Sequence, residues 1–189
     1  MREKLPFPKM LGRVCMRECE NLCSRGNVDQ PIAICELKRF VADRHDAPPP
    51  DLTVEPEKEQ AVAVVGGGPA GLMAAHALRQ KGYAVTLFEA EAFLGGAARL
   101  YIPRFRLPTE IIEEETGILP KLGVEMRLNT RIGREIKLEE LVRQYDAVFL
   151  ATGTHKGIRL AIRGERIPGV YNALDFLRRA KFGQKIEIG

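Results

Sequence analysis

AVAVVGGGPAGLMAAHALRQKGYAVTLFEA, residues 61–90, decides the fold. Ala61–Val65 is a short apolar, β-branched run and is predicted to be a strand. Gly66, Gly68 and Gly71 supply a G-x-G-x-x-G spacing. Residues 71–80 have helical periodicity, Gly82 ends the helix, and Ala84–Phe88 is a second strand. Glu89 closes that strand, 18 residues after Gly71. Each position has a physical task. Gly66 lets the chain turn out of the strand, Gly68 lets backbone approach a pyrophosphate, and Gly71 allows close helix–strand packing. The helix N-terminus offers free N–H groups and a positive dipole end to phosphates. A carboxylate at the end of the second strand can accept hydrogen bonds from a ribose. A bare glycine pattern is weak evidence, since an ordinary βαβ turn also contains glycine. Here the preceding strand, the following helix and the acid all stand where dinucleotide binding requires them.

A chain of 189 residues with 45% hydrophobic content suits one medium domain plus an appendage. The net charge of +4 is small, and Lys and Arg are scattered among the acids. With no basic stretch interleaved with aromatics, nucleic-acid binding is not indicated. The longest apolar segment is broken by glycines and a proline, so no membrane span is expected. The N-terminus MREKLPFPKM has charge but no apolar run of signal-peptide length, which predicts a cytoplasmic chain. All four cysteines fall within the first 35 residues. In a reducing compartment that clustering points to metal or redox chemistry rather than disulfides.

Residues 1–45 are expected to form a separate Cys-rich unit, 46–60 a linker, and 61–189 a Rossmann-like domain. Cys15, Cys19 and Cys23 are spaced C-x3-C-x3-C, and Cys35 follows after eleven more residues. Four clustered thiolates suggest a soft-metal site, zinc or iron–sulfur. Zinc favours paired C-x2-C knuckles, which this spacing lacks. The alternative is one helix face, because positions i, i+4 and i+8 align, and free Cys is a good core residue. Glu36–Asp43 looks helical, with Leu37, Phe40 and Val41 on one face. DAPPPDLTVEPEKEQ (46–60) is rich in proline and charge, as linkers are.

After the βαβ opening, Gly95 and Gly96 mark a tight loop, and Pro103 and Pro108 forbid a continuous helix. Arg99, Arg104 and Arg106 are candidate partners for negative charge or solvated surface arginines. Residues 109–122 are predicted to be one helix with Thr109 as N-cap and acids in its early turns. Val124–Leu128 is a predicted strand, Leu138–Gln144 a short helix, and Ala147–Leu150 a buried strand. That last strand ends in Ala151-Thr152-Gly153, small residues that let a ligand approach the backbone at a strand's C-terminal end. Arg159–Ile162 is a candidate strand, 171–181 a helix with Asn172 as candidate cap, and 185–188 strand-like.

In this order, GRVCMRECENLCSRG (12–26), PIAICELKRFVAD (31–43), VVGGGPAGL (64–72), FEAEAFLGG (88–96), IPRFRLP (102–108), ATG (151–153) and IPGVYNALDFL (167–177) resemble the N-terminal part of the glutamate synthase small-subunit family, which includes the flavin half of dihydropyrimidine dehydrogenase. The resemblance covers essentially the whole chain. It implies an α/β Rossmann-like FAD-binding domain with a parallel sheet, preceded by a small helical iron–sulfur segment. It implies that Gly66, Gly68, Pro69, Ala70 and Gly71 cradle the FAD pyrophosphate and that Glu89 holds the adenosine ribose. Gly95, Gly96 and Ala97 would line the flavin-side loop. Arg106 falls on the family's FAD-contacting arginine and Ile132 on a hydrophobic position beside the adenine. Ala151, Thr152 and Gly153 would close over the cofactor. Cys15, Cys19 and Cys23 match cysteines that bind [4Fe–4S] clusters in relatives.

The sequence departs from the family in several places. Relatives carry an upstream cysteine run that shares these three cysteines between two clusters. Cys35 stands where relatives usually have another residue, so it either completes a single four-Cys cluster or is a bystander. Lys38 lies near a position that supplies a non-Cys ligand in some relatives. Tyr101 replaces the glycine usual before IPRFRLP, which places it near the isoalloxazine or on the surface. The chain ends where relatives begin a second glycine-rich unit for NAD(P)H, so the expectation is a fragment or a short subunit completed by a partner.

The expected function is electron transfer between FAD and [4Fe–4S] cluster(s), with NAD(P)H acting through another domain or a larger redox subunit, and a ferredoxin-like or iron–sulfur acceptor. A non-catalytic accessory subunit docked on a larger redox complex is the alternative from another class. A zinc-bound module on a Rossmann domain is a third. No acid, base or nucleophile is nominated. His45, His76 and His155 are isolated in sequence and are expected to be structural or solvent-facing.

Overall fold

The structure, a computed structural model, describes residues 5–44 and 52–187. In chain order the elements are α1 (Pro8–Val14), α2 (Glu18–Asn21), a 3-10 turn (Ser24–Asn27), α3 (Ile34–Asp43), β1 (Ala61–Val65), α4 (Pro69–Gln80), β2 (Ala84–Phe88), α5 (Ala97–Leu100), α6 (Thr109–Thr116), α7 (Ile118–Lys121), β3 (Glu125–Arg127), α8 (Leu138–Gln144), β4 (Ala147–Leu150) and α9 (Ala173–Lys181).

The strands form a parallel sheet in the order β3-β2-β1-β4. Ala61 pairs with Ala84, Val65 with Phe88 and Leu150, and Thr86 with Glu125. β1 is central, and both of its faces are covered. That is why AVAVV is a continuous apolar run rather than an alternating one. One face packs Val64 and Leu87 against Leu72 and Ala75 of α4, with Ile112, Leu119 and Leu122 beyond. The other packs Ala63, Val65 and Phe88 against Leu141 of α8. The chain runs outward from β1 through β2 to β3, then returns to the opposite side of β1 for β4. The reversal puts a topological switch point between β1 and β4, where open α/β sheets bind ligands.

The predicted helix over 109–122 is two helices, α6 and α7, meeting at Gly117. Pro120 has no N–H to donate to the Thr116 carbonyl, and its ring crowds that carbonyl, so one continuous helix cannot form. The N-cap position is Pro108, one residue before the predicted Thr109, and makes no side-chain cap bond. β4 lies where predicted but is not buried: Phe149 and Leu150 are exposed. It is an edge strand among the described residues, and α8 covers one face only. Residues 159–162 are not a strand, nor are 185–187; Ile188 lies outside the described residues. α9 begins at Ala173, and the Asn172 side chain caps it by accepting from the Leu174 N–H at 3.0 Å.

α1 is part of the same core as the sheet. Phe7 and Met10 are buried in the cluster that contains Val64 and Leu72. Both oxygens of the buried Glu115 on α6 accept backbone N–H groups at the start of α1, from Lys9 at 2.7 Å and Met10 at 2.7 Å. Those N–H groups have no partner within the helix, and a carboxylate there also complements the helix dipole. α3 lies against α1, held by the paired Arg13–Asp43 contacts at 2.9 Å. The end of the proline-rich stretch is tied down as well. Glu55 N–H donates to the Gln80 carbonyl and Lys58 N–H to that of Gly82, at the C-terminus of α4.

Candidate functional site

The glycine turn is a backbone device. Gly66 has φ +111°, and a Cβ there would lie 2.3 Å from the Ala151 carbonyl oxygen. A Cβ at Gly71 would lie 1.8 Å from the Gly66 oxygen, so α4 starts flush against the end of β1. Gly96, at φ +50°, brings its Cα against Gly68, where a Cβ on Gly96 would come within 2.6 Å. Glu89 is buried at the end of β2 and braces this assembly. Its carboxylate accepts the Gly67 N–H at 2.6 Å and the Glu91 N–H at 2.8 Å. Gly95 N–H donates to the Gly67 carbonyl at 2.8 Å, fastening the second glycine loop to the first.

Gly68 differs from its neighbours. Its backbone is extended, a conformation open to any residue, and a Cβ there would find nothing nearer than 3.7 Å. Packing within the protein does not demand a glycine at this position. What the missing side chain leaves free is cleft. Gly68 is also the N-cap of α4 and makes no side-chain cap bond, so the first N–H groups of the helix stay available. An uncapped twelve-residue helix beginning at a bare glycine is suited to an anion such as a diphosphate.

The cleft has a volume of about 730 Å³. One wall is Glu89 with Thr130–Ile132, the floor is Gly66 and Gly68–Ala70, and the far wall is Gly96–Ala97 with Ala151–Gly153. Most of the sequence-nominated residues therefore converge. Gly71 and Gly95 do not line the cleft; they are packing residues behind it. Arg106 is exposed on the 103–107 turn and does not line the cleft either. Arg99 pairs with Glu113 at 2.8 Å and Arg104 with Glu110 at 2.5 Å, so both serve the surface of α6.

Sequence reasoning undervalued several residues. His155 lines the cleft and touches Tyr101, which is buried in the same wall. The available signal was its place just after a strand-end glycine at the switch point. Arg178 of α9 reaches the cleft rim and pairs with Glu91 at 2.8 Å, across 87 residues of sequence, and nothing local announces that. His76 is buried with its ring edge-on to Phe7, as a structural histidine would be. His45 lies outside the described residues.

The cysteines are arranged otherwise. Arg17, at φ 64°, breaks the chain between Cys15 and Cys19, so the three do not share a helix face. Cys15 ends α1, Cys19 is exposed on α2, and Cys23 precedes the 3-10 turn. The Arg17 N–H, ahead of the Lys38 ammonium, pulls the Cys15 thiol below its ordinary range. Backbone N–H groups of Ile32, Arg25 and Gly26 do the same for Cys23. Such N–H donors to sulfur suit ligating thiolates. Cys35 is different: burial pushes its thiol up, and it donates to the Gly12 carbonyl at 3.3 Å. Among the described residues no three Cys, His, Asp or Glu are gathered into a metal-holding group. The donor chemistry of Cys15, Cys19 and Cys23 fits a cluster, and among the described residues the three are not drawn together into one group.

Comparison with known proteins divides the chain along the same line. Residues 1–48 match the family described as dihydropyrimidine dehydrogenase domain II, 4Fe-4S cluster. Residues 64–112 match the NAD(P)-binding Rossmann-like domain. Together the two matches describe a segment similar to an iron–sulfur domain followed by one similar to a dinucleotide-binding Rossmann domain. Over its entire length the chain is 40% identical to the NADPH-Fe(3+) oxidoreductase subunit beta of Geobacter sulfurreducens, of which it covers 29%. Over 90% of its length it is 34% identical to the glutamate synthase [NADPH] small chain of Escherichia coli, covering 37% of that protein. Mycobacterium tuberculosis FprA, solved in complex with NADPH, superposes on 65% of the chain with a TM-score of 0.60 at 25% identity, using 29% of its own length. The resemblance to the glutamate synthase small-subunit family thus holds across the chain, which spans about a third of the relatives' length. Among the described residues no helix is long and apolar enough to cross a membrane.

Proposed function

We propose that this chain is the FAD- and cluster-binding part of an NAD(P)H-dependent oxidoreductase, passing electrons between a flavin in the cleft and [4Fe–4S] iron held by Cys15, Cys19 and Cys23. The observation that carries the reading is Gly68, bare where packing does not require it, at the uncapped start of α4. FAD here would supply the conversion between a two-electron hydride donor and one-electron iron–sulfur acceptors. The chain's own residues would bind and orient it. The α4 N–H groups would take the diphosphate. Glu89 would accept a ribose hydroxyl while holding Gly67 and Glu91, and Ile132 would pack beside the adenine. Ala151–Gly153 would admit the cofactor close to the backbone. Cys35, buried beside Cys15 and donating to the Gly12 carbonyl, is assigned to packing rather than ligation. The nicotinamide would be bound by another domain or a larger redox subunit of a cytoplasmic complex.

The test is anaerobic loading of the chain with FAD, iron and sulfide, with all three quantified. FAD and iron are both expected to be retained. Replacing Cys15, Cys19 and Cys23 with Ser should remove iron and leave FAD, and Cys35→Ser should keep both. Iron lost on Cys35→Ser would overturn the ligand set, and failure of the parent chain to hold FAD would overturn the reading.

A further inference from the structure

Tyr101 and His155 come from different elements of one cleft wall. Tyr101 ends α5 and is buried. His155 lies in the segment after β4 and is exposed. The Tyr101 hydroxyl is 3.1 Å from His155 Nδ1, and His155 Nε2 is 2.8 Å from the Thr152 carbonyl oxygen. Both side chains line the cleft beside Gly96, Ala97 and Leu100. A carbonyl oxygen can only accept, so Nε2 must carry a proton. In the neutral ring Nδ1 is then the acceptor, and the Tyr101 O–H donates to it. The direction of both hydrogen bonds follows from that one carbonyl.

We infer that Tyr101 and His155 are a positioning pair: His155 fixes the 152–156 turn against α5 and holds the Tyr101 phenol as a wall for the redox-active ring of the cofactor. This rests on the flavin reading above. Glu89 and Ile132 are on the wall suited to adenosine, and the glycine floor suits the diphosphate. The wall of Gly96–Tyr101 and 152–156 is therefore left for the other heteroaromatic end. A glycine at 101 could neither bond His155 nor cover that end with a ring. The pair costs little to hold, because Tyr101 is already buried and Gly153, at φ +69°, turns the chain so that the His155 ring folds back onto Thr152.

The experiment has one arm without cofactor and one with it. In the chain free of FAD, ring nitrogen NMR of His155 should report a protonated Nε2 and a bare, hydrogen-bonded Nδ1, with the Nδ1 signal moving in Tyr101→Phe. With FAD, Tyr101→Phe and His155→Ala should each weaken binding about fivefold, the worth of one ordinary hydrogen bond, and the double variant should weaken it no further. Bound-flavin fluorescence should rise severalfold in Tyr101→Phe, since a phenol in contact with the ring quenches it by electron donation and a phenyl ring does not. A role in folding alone would leave that signal unmoved. Additive losses, or unchanged fluorescence with FAD bound, would overturn the pair while leaving the flavin reading intact. Failure of the parent chain to bind FAD overturns both, and the two cases are told apart by that measurement.

Discussion

The glycine cleft and the cysteine segment are both made of short motifs, yet among the described residues only the first is gathered into one site. The cleft is built from backbone. Its shape follows from positive φ at Gly66 and Gly96, from close approaches at Gly71 and Gly96, and from N–H groups held by Glu89. None of those contacts waits for a ligand. The cysteine segment relies on thiol side chains, for which we propose a common metal partner. Its thiols sit at the end of α1, on α2 and before a 3-10 turn, and they are not gathered. A dinucleotide site can be preformed, whereas a metal site draws part of its geometry, and of its folding free energy, from the ion.

That contrast is broken most forcefully at two glycines three residues apart. Gly71→Ala puts a methyl 1.8 Å from the Gly66 oxygen, so the start of α4 must move off the strand. The expected cost is about 3 kcal/mol in chemical denaturation. The Cβ of Gly68→Ser meets no atom closer than 3.7 Å, and its hydroxyl supplies an N-cap oxygen, so stability should stay within about 0.5 kcal/mol of the parent. Its FAD affinity should nevertheless fall about tenfold or more, equivalent to 1.4 kcal/mol. If Gly68→Ser binds FAD as the parent does, the cleft is not organised around that position.

The same contrast explains what could be read from the sequence. β1, β2, α8 and the glycine turn were legible because each follows from local rules: an apolar run, a helical period, a glycine where no Cβ fits. The break at Gly117 was also local, since Pro120 stands in the helix interior, but the acids and apolar residues of 109–122 carry an unbroken helical pattern that masks it. The exposure of β4 was not legible, because AVFL reads the same at an edge as in the middle of a sheet. Arg178 on Glu91 and Tyr101 on His155 depend on which loops the topology brings together. Arg106 shows the limit of motif matching: the motif IPRFRLP is present, but the side chain lies outside the cleft.

A smaller effect sharpens the comparison at the joint between the two regions. Glu115 uses both carboxylate oxygens on the first N–H groups of α1. Glu115→Gln keeps the shape but offers an NH2 where an N–H already points. The loss should be about 2 kcal/mol, since one charge-assisted bond is removed and another loses its charge. Hydrogen exchange should rise at the start of α1 and in the cysteine segment that follows, while the cleft amides stay protected. Equal loosening of the cleft would mean that the two regions open as one unit.

The smallest expected effect lies on β3, an edge strand among the described residues. A hydrogen bond from Arg127, then one from Thr86, holds the Glu125 carboxyl below its usual range. A depressed carboxylate stabilises the fold above its unfolded value, and that contribution is lost as pH falls through the lower folded value. Stability should therefore be steady near neutrality and decline in the acid range below 4.5. The side chain is half exposed, so screening should keep the contribution below about 1 kcal/mol. Thr86→Val should flatten the acid limb of the urea midpoint against pH, with cofactor and iron binding unchanged. A midpoint profile identical to the parent would mean that the Thr86 bond does not contribute, leaving Arg127 as the cause of the shift.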